Sequence, residues 1–294
     1  MPRRILTLLL CAPVLFWMAR QNAAAQATVV EDSVYSPSLH RFTHFRVCLP
    51  FVTAASREGT ASRQVPPRYP AILVLHGFDG NYRDWTDIAS IQKFAPRDSI
   101  VIVTPDGENS WYVNAPGDSR AGFEDCFTRD LVPYVEGKYP IDAKHLGIAG
   151  LSMGGYGALV LGLRHPDLFC FVGSMSGSPD VPLGIPDLER NGRGGMRASV
   201  EHAFGADTSS WAGFAPERIV RTIDTASAPY LYLANGIQDE FAARLLFYRS
   251  FADVARGRGM RYEYHETPGR HSWEYWTREI DPLLRRFSEL TSLR

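Results

Sequence analysis

A serine with a glycine two residues away on each side, Gly150-Leu151-Ser152-Met153-Gly154, is the stretch best suited to covalent chemistry. An apolar run at 145–149 precedes it, and Gly155, Tyr156, Ala158 and Leu159 follow with helical spacing. The stretch therefore reads as strand, sharp turn and helix, with the Ser152 hydroxyl at the apex. Glycines at i−2 and i+2 let strand and helix pass closely, and the turn leaves the Met153 N–H free to face a developing oxyanion. A serine hydroxyl is a weak nucleophile until a base takes its proton, and histidine suits that role near neutral pH. The histidine needs a carboxylate to set its tautomer and stabilise its charged form. Asp239 and His271 are the candidates, 87 and 32 residues further along, so only a fold can join the three.

Position in the chain selects these partners. Ser152, His76-Gly77, Asp239 and His271 each stand just after a predicted strand, and in parallel α/β sheets ligands gather beyond the carboxyl ends of the strands. His40, His44, His145, His165, His202 and His265 lack such a strand-end loop. His76 has one, but it lies on the glycine loop that should donate to the oxyanion, so it reads as a loop-shaping residue. Glu240 competes with Asp239, which comes first after the strand. Phe78, following Gly77, offers the second oxyanion N–H beside that of Met153. Trp111, Tyr112 and Asn114, in a loop of aromatics, amides and breakers, are candidate substrate contacts, with core packing as the competing role for the aromatics.

The elements that must position these groups follow from apolar patterning. Near-continuous runs at 69–75, 100–104, 146–149, 169–175 and 230–234 suit strands buried on both faces, and 42–51 and 261–265 alternate like strands. Helical spacing marks 85–94, 123–139 (with Pro133 a kink or a division), 153–164, 216–223, 241–255 and 272–290. Strands alternating with helices predict a mostly parallel, doubly wound sheet. Gly184, Pro186, Gly192, Gly194 and Gly195 break any long element within residues 180–213, which read as a short cap-like excursion.

Composition narrows the class. The 294 residues are 45% hydrophobic and 21% charged, ordinary for a globular chain, and the formal net charge of −1 offers no field for nucleic acid. Arg3 and Arg4, an apolar stretch at 5–19 and small residues at 23–27 form a secretory signal, too short and Pro13-interrupted to be a lasting anchor. The expected organisation is a signal over 1–27 and one domain over 28–294, secreted or periplasmic. Cleavage near Ala27 removes three arginines and no acid, taking the net charge to −4. Cys48, Cys126 and Cys170 then remain, allowing at most one intramolecular disulfide, with Cys170 read as a buried thiol. No metal-ligand spacing is present, so neither metal nor cofactor is expected.

Several ordered motifs together resemble the esterase D superfamily. They are His76-Gly77-Phe78-Asp79-Gly80-Asn81 with Trp85, Pro105-Asp106-Gly107 with Ser110-Trp111-Tyr112-Val113-Asn114, and the Ser152 stretch continued through Gly155-Tyr156-Gly157-Ala158. His165-Pro166-Asp167-Leu168-Phe169, Ser176-Gly177 and 269–276 complete them. The likeness spans about 42–287 and is weakest over 180–213. It implies an α/β-hydrolase fold and ester hydrolysis through a serine acyl-enzyme, with Ser152, Asp239 and His271 matching the family triad and Phe78 and Met153 its oxyanion donors. That group includes tributyrin, feruloyl and acetylxylan esterases, S-formylglutathione hydrolases and mycolyltransferases of the antigen 85 type. The Ser-Trp-Tyr-x-Asn loop looks most like the tributyrin-esterase branch, implying short acyl chains. Arg270 departs from the usual Gly-Gly-His-x-Trp signature and is read as pointing to solvent. The expected substrate is a small-molecule or glycan-linked acyl ester; the rivals are acyl transfer to a sugar or lipid hydroxyl and a non-catalytic binding protein.

Overall fold

The apolar runs become the centre of an eight-stranded sheet in the computed structural model, which describes residues 27–50, 67–183, 194–240 and 243–292. All of the expected signal but Ala27, and ten residues of the excursion, lie outside these. The strands are β1 (Thr28–Ser36), β2 (Arg41–Leu49), β3 (Tyr69–Leu75), β4 (Val101–Pro105), β5 (Ile141–Leu151), β6 (Phe171–Met175), β7 (Tyr230–Gly236) and β8 (Tyr262–Thr267). Their order across the sheet is β1-β2-β4-β3-β5-β6-β7-β8. From β4 to β8 every pairing is parallel; β1 and β2 add an antiparallel edge.

Both faces are covered, which is why the inner strands are apolar throughout. On β3, Ala71, Leu73 and Leu75 enter one core cluster, while Ile72 and Val74 enter the other. The first cluster packs under Met153–Arg164 and Ala243–Gly257, and the second under the long C-terminal helix Trp273–Ser292 with Leu283, Leu284 and Phe287. The expected α/β-hydrolase architecture is the observed one.

Four local details differ from the patterning or sharpen it. β1 is an additional strand; three consecutive polar residues, Glu31, Asp32 and Ser33, interrupt its apolar pattern, and its pairing to β2 over nine residues defines it. The single helix read over 85–94 is three short pieces, Asp84–Asp87, Ile91–Lys93 and Phe94–Asp98; Ser90, left-handed at φ 51°, breaks the first from the second, and the second passes from 3-10 to α geometry at Phe94. Pro133 falls where the helix read over 123–139 is divided. It sits in the first turn of Val132–Lys138, after a π-type stretch, Cys126–Leu131, where a missing N–H costs nothing. The excursion holds an eleven-residue helix, Gly194–Phe204, whose two glycines stand at its start and leave the rest uninterrupted.

Cys48 and Cys126 are buried free thiols; burial pushes Cys48 up to about 12 and Cys126 to about 11. Cys170, read as buried, is only partly so. Among the described residues no helix is long and apolar enough to cross a membrane.

Candidate active site

Ser152 stands between the end of β5 and the first turn of Met153–Arg164, at φ 52° and ψ −117°. Such a conformation costs on the order of 1–3 kcal/mol and persists only where the surroundings over-determine it. Here they do. The Ser152 N–H donates to the Met175 carbonyl at 2.9 Å, and its carbonyl accepts from the Tyr156 N–H at 3.0 Å. A Cβ on Gly150 would overlap the Gly154 carbonyl, and one on Gly154 would lie 2.5 Å from the His76 oxygen. The two flanking glycines thus permit the elbow itself and its contact with the exit of β3.

Asp239 and His271 arrive on two loops stitched to each other. The Gln238 N–H donates to the Gly269 carbonyl at 3.0 Å, and the Gly269 N–H returns a bond to Gln238 Oε1 at 2.6 Å. The His271 N–H donates to Glu240 Oε2 at 3.1 Å. Within that frame His271 Nδ1 lies 2.9 Å from Asp239 Oδ2 and His271 Nε2 lies 2.9 Å from Ser152 Oγ. A carboxylate only accepts, so the proton belongs on Nδ1 and Nε2 is left to accept from the serine hydroxyl. The Asp239 side chain is 0% exposed and that of His271 13%, so both are largely shielded from water. The Trp276 ring stands edge-on to the imidazole with centroids 4.9 Å apart.

The exit of β3 lies against this elbow: a Cβ on Gly77 would sit 2.6 Å from Leu151 Cδ1 and 3.6 Å from Ser152 Cβ. Phe78 is therefore one residue from the van der Waals surface of Ser152. Met153 is the first residue of its helix, where an N–H has no intrahelical acceptor. His76 shapes the loop as expected. It is buried, its Nδ1 is 2.8 Å from the Gly77 carbonyl, and its Nε2 accepts from the Gly107 N–H at 2.9 Å. Beside it, burial raises the Asp106 carboxyl, but the neighbouring His76 ring and the bond from the Glu108 N–H prevail and hold it below its ordinary value.

The Trp111 loop serves the site differently from the sequence reading. Tyr112 is fully buried and donates its hydroxyl to the His76 carbonyl at 2.8 Å, so it cannot touch a ligand; it supports the β3 loop from beneath. Asn114 is also a framework residue, accepting from the Asp125 N–H at 3.1 Å and pairing with Gly122. Trp111 is nearly buried among Phe78, Tyr156 and Phe204, with Phe78 6.4 Å away ring to ring. Trp111 and Tyr112 are both at positive φ, which binds this loop tightly to its surroundings.

Glu240, weighed as an alternative acid, serves instead as a brace. One carboxylate oxygen takes the His271 backbone N–H and the other pairs with Arg270 at 3.1 Å. Bonds from its own N–H, from the His271 N–H and from Arg270 hold its carboxyl below the usual range. Arg270 is exposed, as read, yet it is paired. Gln238, Trp276 and Asn109 escaped the sequence reading, since nothing local marks a strand-end glutamine or a loop asparagine. A cleft of about 370 Å³ between Arg41, Asn109, Phe123 and His202 adjoins the Trp111 loop but does not include Ser152.

Comparison with known proteins fits this arrangement. The esterase family described as "Putative esterase" matches residues 36–287. An acetyl esterase of Caldicellulosiruptor saccharolyticus is 29% identical over 219 residues, covering 71% of this chain and 79% of its own. A diacylglycerol acyltransferase/mycolyltransferase Ag85A of Mycobacterium leprae is 26% identical over 245 residues, 73% of each chain. Among solved structures, the Staphylococcus aureus fluorophosphonate-binding serine hydrolase F superposes with a TM-score of 0.76 at 20% identity, covering 90% of this chain and 99% of that one.

Proposed function

Since the chain belongs to the esterase family matched over residues 36–287 and is a carboxylic-ester hydrolase, we propose that it works through an acyl-enzyme on Ser152. The observation that carries this is the unbroken chain Ser152 Oγ, His271 Nε2, His271 Nδ1 and Asp239 Oδ2, with both links at 2.9 Å and each residue from a different strand end. His271 takes the Ser152 proton as Oγ bonds to the ester carbon, and the carbonyl oxygen becomes an oxyanion held by the N–H groups of Phe78 and Met153. The oxyanion collapses, the bond to the alcohol oxygen breaks, and His271 returns the proton to that oxygen. Water then gives a proton to His271 as its oxygen bonds to the acyl carbon. Ser152 leaves, recovers the proton, and the carboxylic acid is released.

Short-chain acyl esters, free or carried on a glycan, are the proposed substrates. Supporting them are the acetyl esterase relative and the close wall of Phe78 and Trp111 beside the elbow. Acyl transfer to a sugar or lipid hydroxyl is the second reading, favoured by the mycolyltransferase relatives; it differs only in the group that replaces water. The proposed signal over 1–27 sends the protein to the periplasm or outside the cell, with residues 28–294 as one domain. β1 begins at Thr28, so cleavage near Ala27 leaves the sheet whole.

Ser152→Ala tests the mechanism. Hydrolysis of p-nitrophenyl acetate and fluorophosphonate labelling are both expected to vanish; an active Ser152→Ala protein would refute it. Acetyl, butyryl, longer acyl and feruloyl esters, each with and without a competing sugar acceptor, rank the substrates and separate hydrolysis from transfer.

A further inference from the structure

Phe78 sits on a loop whose next residue, Asp79, is left-handed at φ 59°. An aspartate adopts that conformation where something local holds it. The holder is Asn109, thirty residues on, which grips Asp79 twice. The Asp79 N–H donates to Asn109 Oδ1 at 2.8 Å, and Asn109 Nδ2 donates to Asp79 Oδ1 at 2.8 Å. The partners dictate the orientation of the amide, because an N–H only donates and a carboxylate only accepts. Asn109 is itself held from the excursion helix. Its carbonyl accepts from Ser199 Oγ at 2.9 Å, and Ser199 Oγ accepts from Trp111 Nε1 at 3.0 Å. The Trp111 ring then returns to Phe78. The circuit Phe78–Asp79–Asn109–Ser199–Trp111–Phe78 closes on the residue it started from.

We infer that Asp79 and Asn109 are positioning residues that aim the Phe78 N–H at the oxyanion, and that Ser199 ties this aim to the helix Gly194–Phe204. The inference rests on the Ser152 and Phe78 roles proposed above. Both Asp79 and Asn109 lie at the surface, where two hydrogen bonds add little to overall stability. Their value lies in fixing a donor whose bond strengthens only as charge develops in the transition state. Loss of the grip therefore lowers kcat while KM and the thermal midpoint stay near wild type.

A swap in the full-length protein tests this. Asn109→Asp sets two carboxylates against each other where the amide bridged them, and kcat on p-nitrophenyl acetate is expected to fall about 10- to 100-fold, less than complete loss of an oxyanion donor. Asp79→Asn combined with Asn109→Asp rebuilds the pair with amide and carboxylate exchanged, and kcat is expected to recover to within about threefold of wild type. Asp79→Ala removes one of the two bonds and gives the same effect at smaller amplitude, should Asn109→Asp accumulate poorly. Unchanged kcat in Asn109→Asp or Asp79→Ala overturns the inference. So does a loss of kcat that tracks a loss of thermal midpoint and is not recovered by the swap. Fluorophosphonate labelling of Ser152, run in parallel, separates the two claims. Labelled and active Asn109→Asp protein refutes the positioning role alone, whereas an active Ser152→Ala protein refutes the reading beneath it.

Discussion

Asp239→Asn isolates what the buried carboxylate does for the base. Asp239 Oδ2 lies 2.9 Å from His271 Nδ1, and its side chain has no exposure to water. When His271 takes the serine proton, charge centres about 4 Å apart attract by about 4 kcal/mol at an effective dielectric near 20. That corresponds to about three powers of ten in rate. An amide also presents an NH2 to Nδ1, which favours the proton on Nε2 and leaves that nitrogen unable to accept from Ser152. In a comparable serine–histidine–aspartate site this substitution costs about 10⁴ in kcat. The expected fall is therefore about 10³- to 10⁴-fold in kcat, with the fold retained because no unpaired charge is buried. Steady-state hydrolysis of p-nitrophenyl acetate measures it, with circular dichroism as the check on folding. Glu240→Gln is the control: its exposed carboxylate holds the His271 backbone N–H and pairs with Arg270 but does not touch the imidazole, so a loss of a few-fold is expected. An Asp239→Asn enzyme within tenfold of wild type, or a larger loss in Glu240→Gln, would show that the acid has been misassigned.

Other expectations concern the framework. Gly154→Ala places a methyl 2.5 Å from the His76 oxygen and 2.6 Å from the Leu75 oxygen, both backbone. It should cost about 1–3 kcal/mol in urea unfolding and lower kcat by shifting the β3 exit. Tyr112→Phe orphans the His76 carbonyl and should destabilise by about 1–3 kcal/mol, seen as a lower thermal midpoint with KM unchanged. A raised KM at wild-type stability would instead return Tyr112 to the substrate. Asp106 has a depressed carboxyl in the folded state, so it contributes stability above the unfolded value near 3.9 that is lost as pH falls through the lower folded value. Asp106→Asn should therefore be less stable than wild type at neutral pH, with the gap closing below about pH 4 in acid-unfolding curves.

Much of this protein was legible from residue order alone. The inner strands are buried on both faces, so their apolar runs are continuous and their ends are marked by glycine and proline. Ser152, Asp239 and His271, whose side chains meet in the structure, could be singled out because ligands in a parallel sheet gather where such strands end. Gly150 and Gly154 were likewise visible, since close approach of backbone admits no other residue. What depended on pairing, packing or a single backbone conformation was not visible. β1 is a strand because β2 pairs with it, and the left-handed Ser90 that divides the helix after β3 has no sequence signature. Tyr112 and Asn114 looked like ligand contacts because aromatics and amides in a loop have the same composition whether they face a cleft or the core. Only packing decided that Tyr112 lies beneath the loop. The same holds for Glu240, Gln238 and Asn109: each acts by one or two hydrogen bonds to backbone about thirty residues away, and their geometry exists only once the loops have met. Local patterning therefore picked out the groups that meet, and tertiary contact chose the residues that hold them in register.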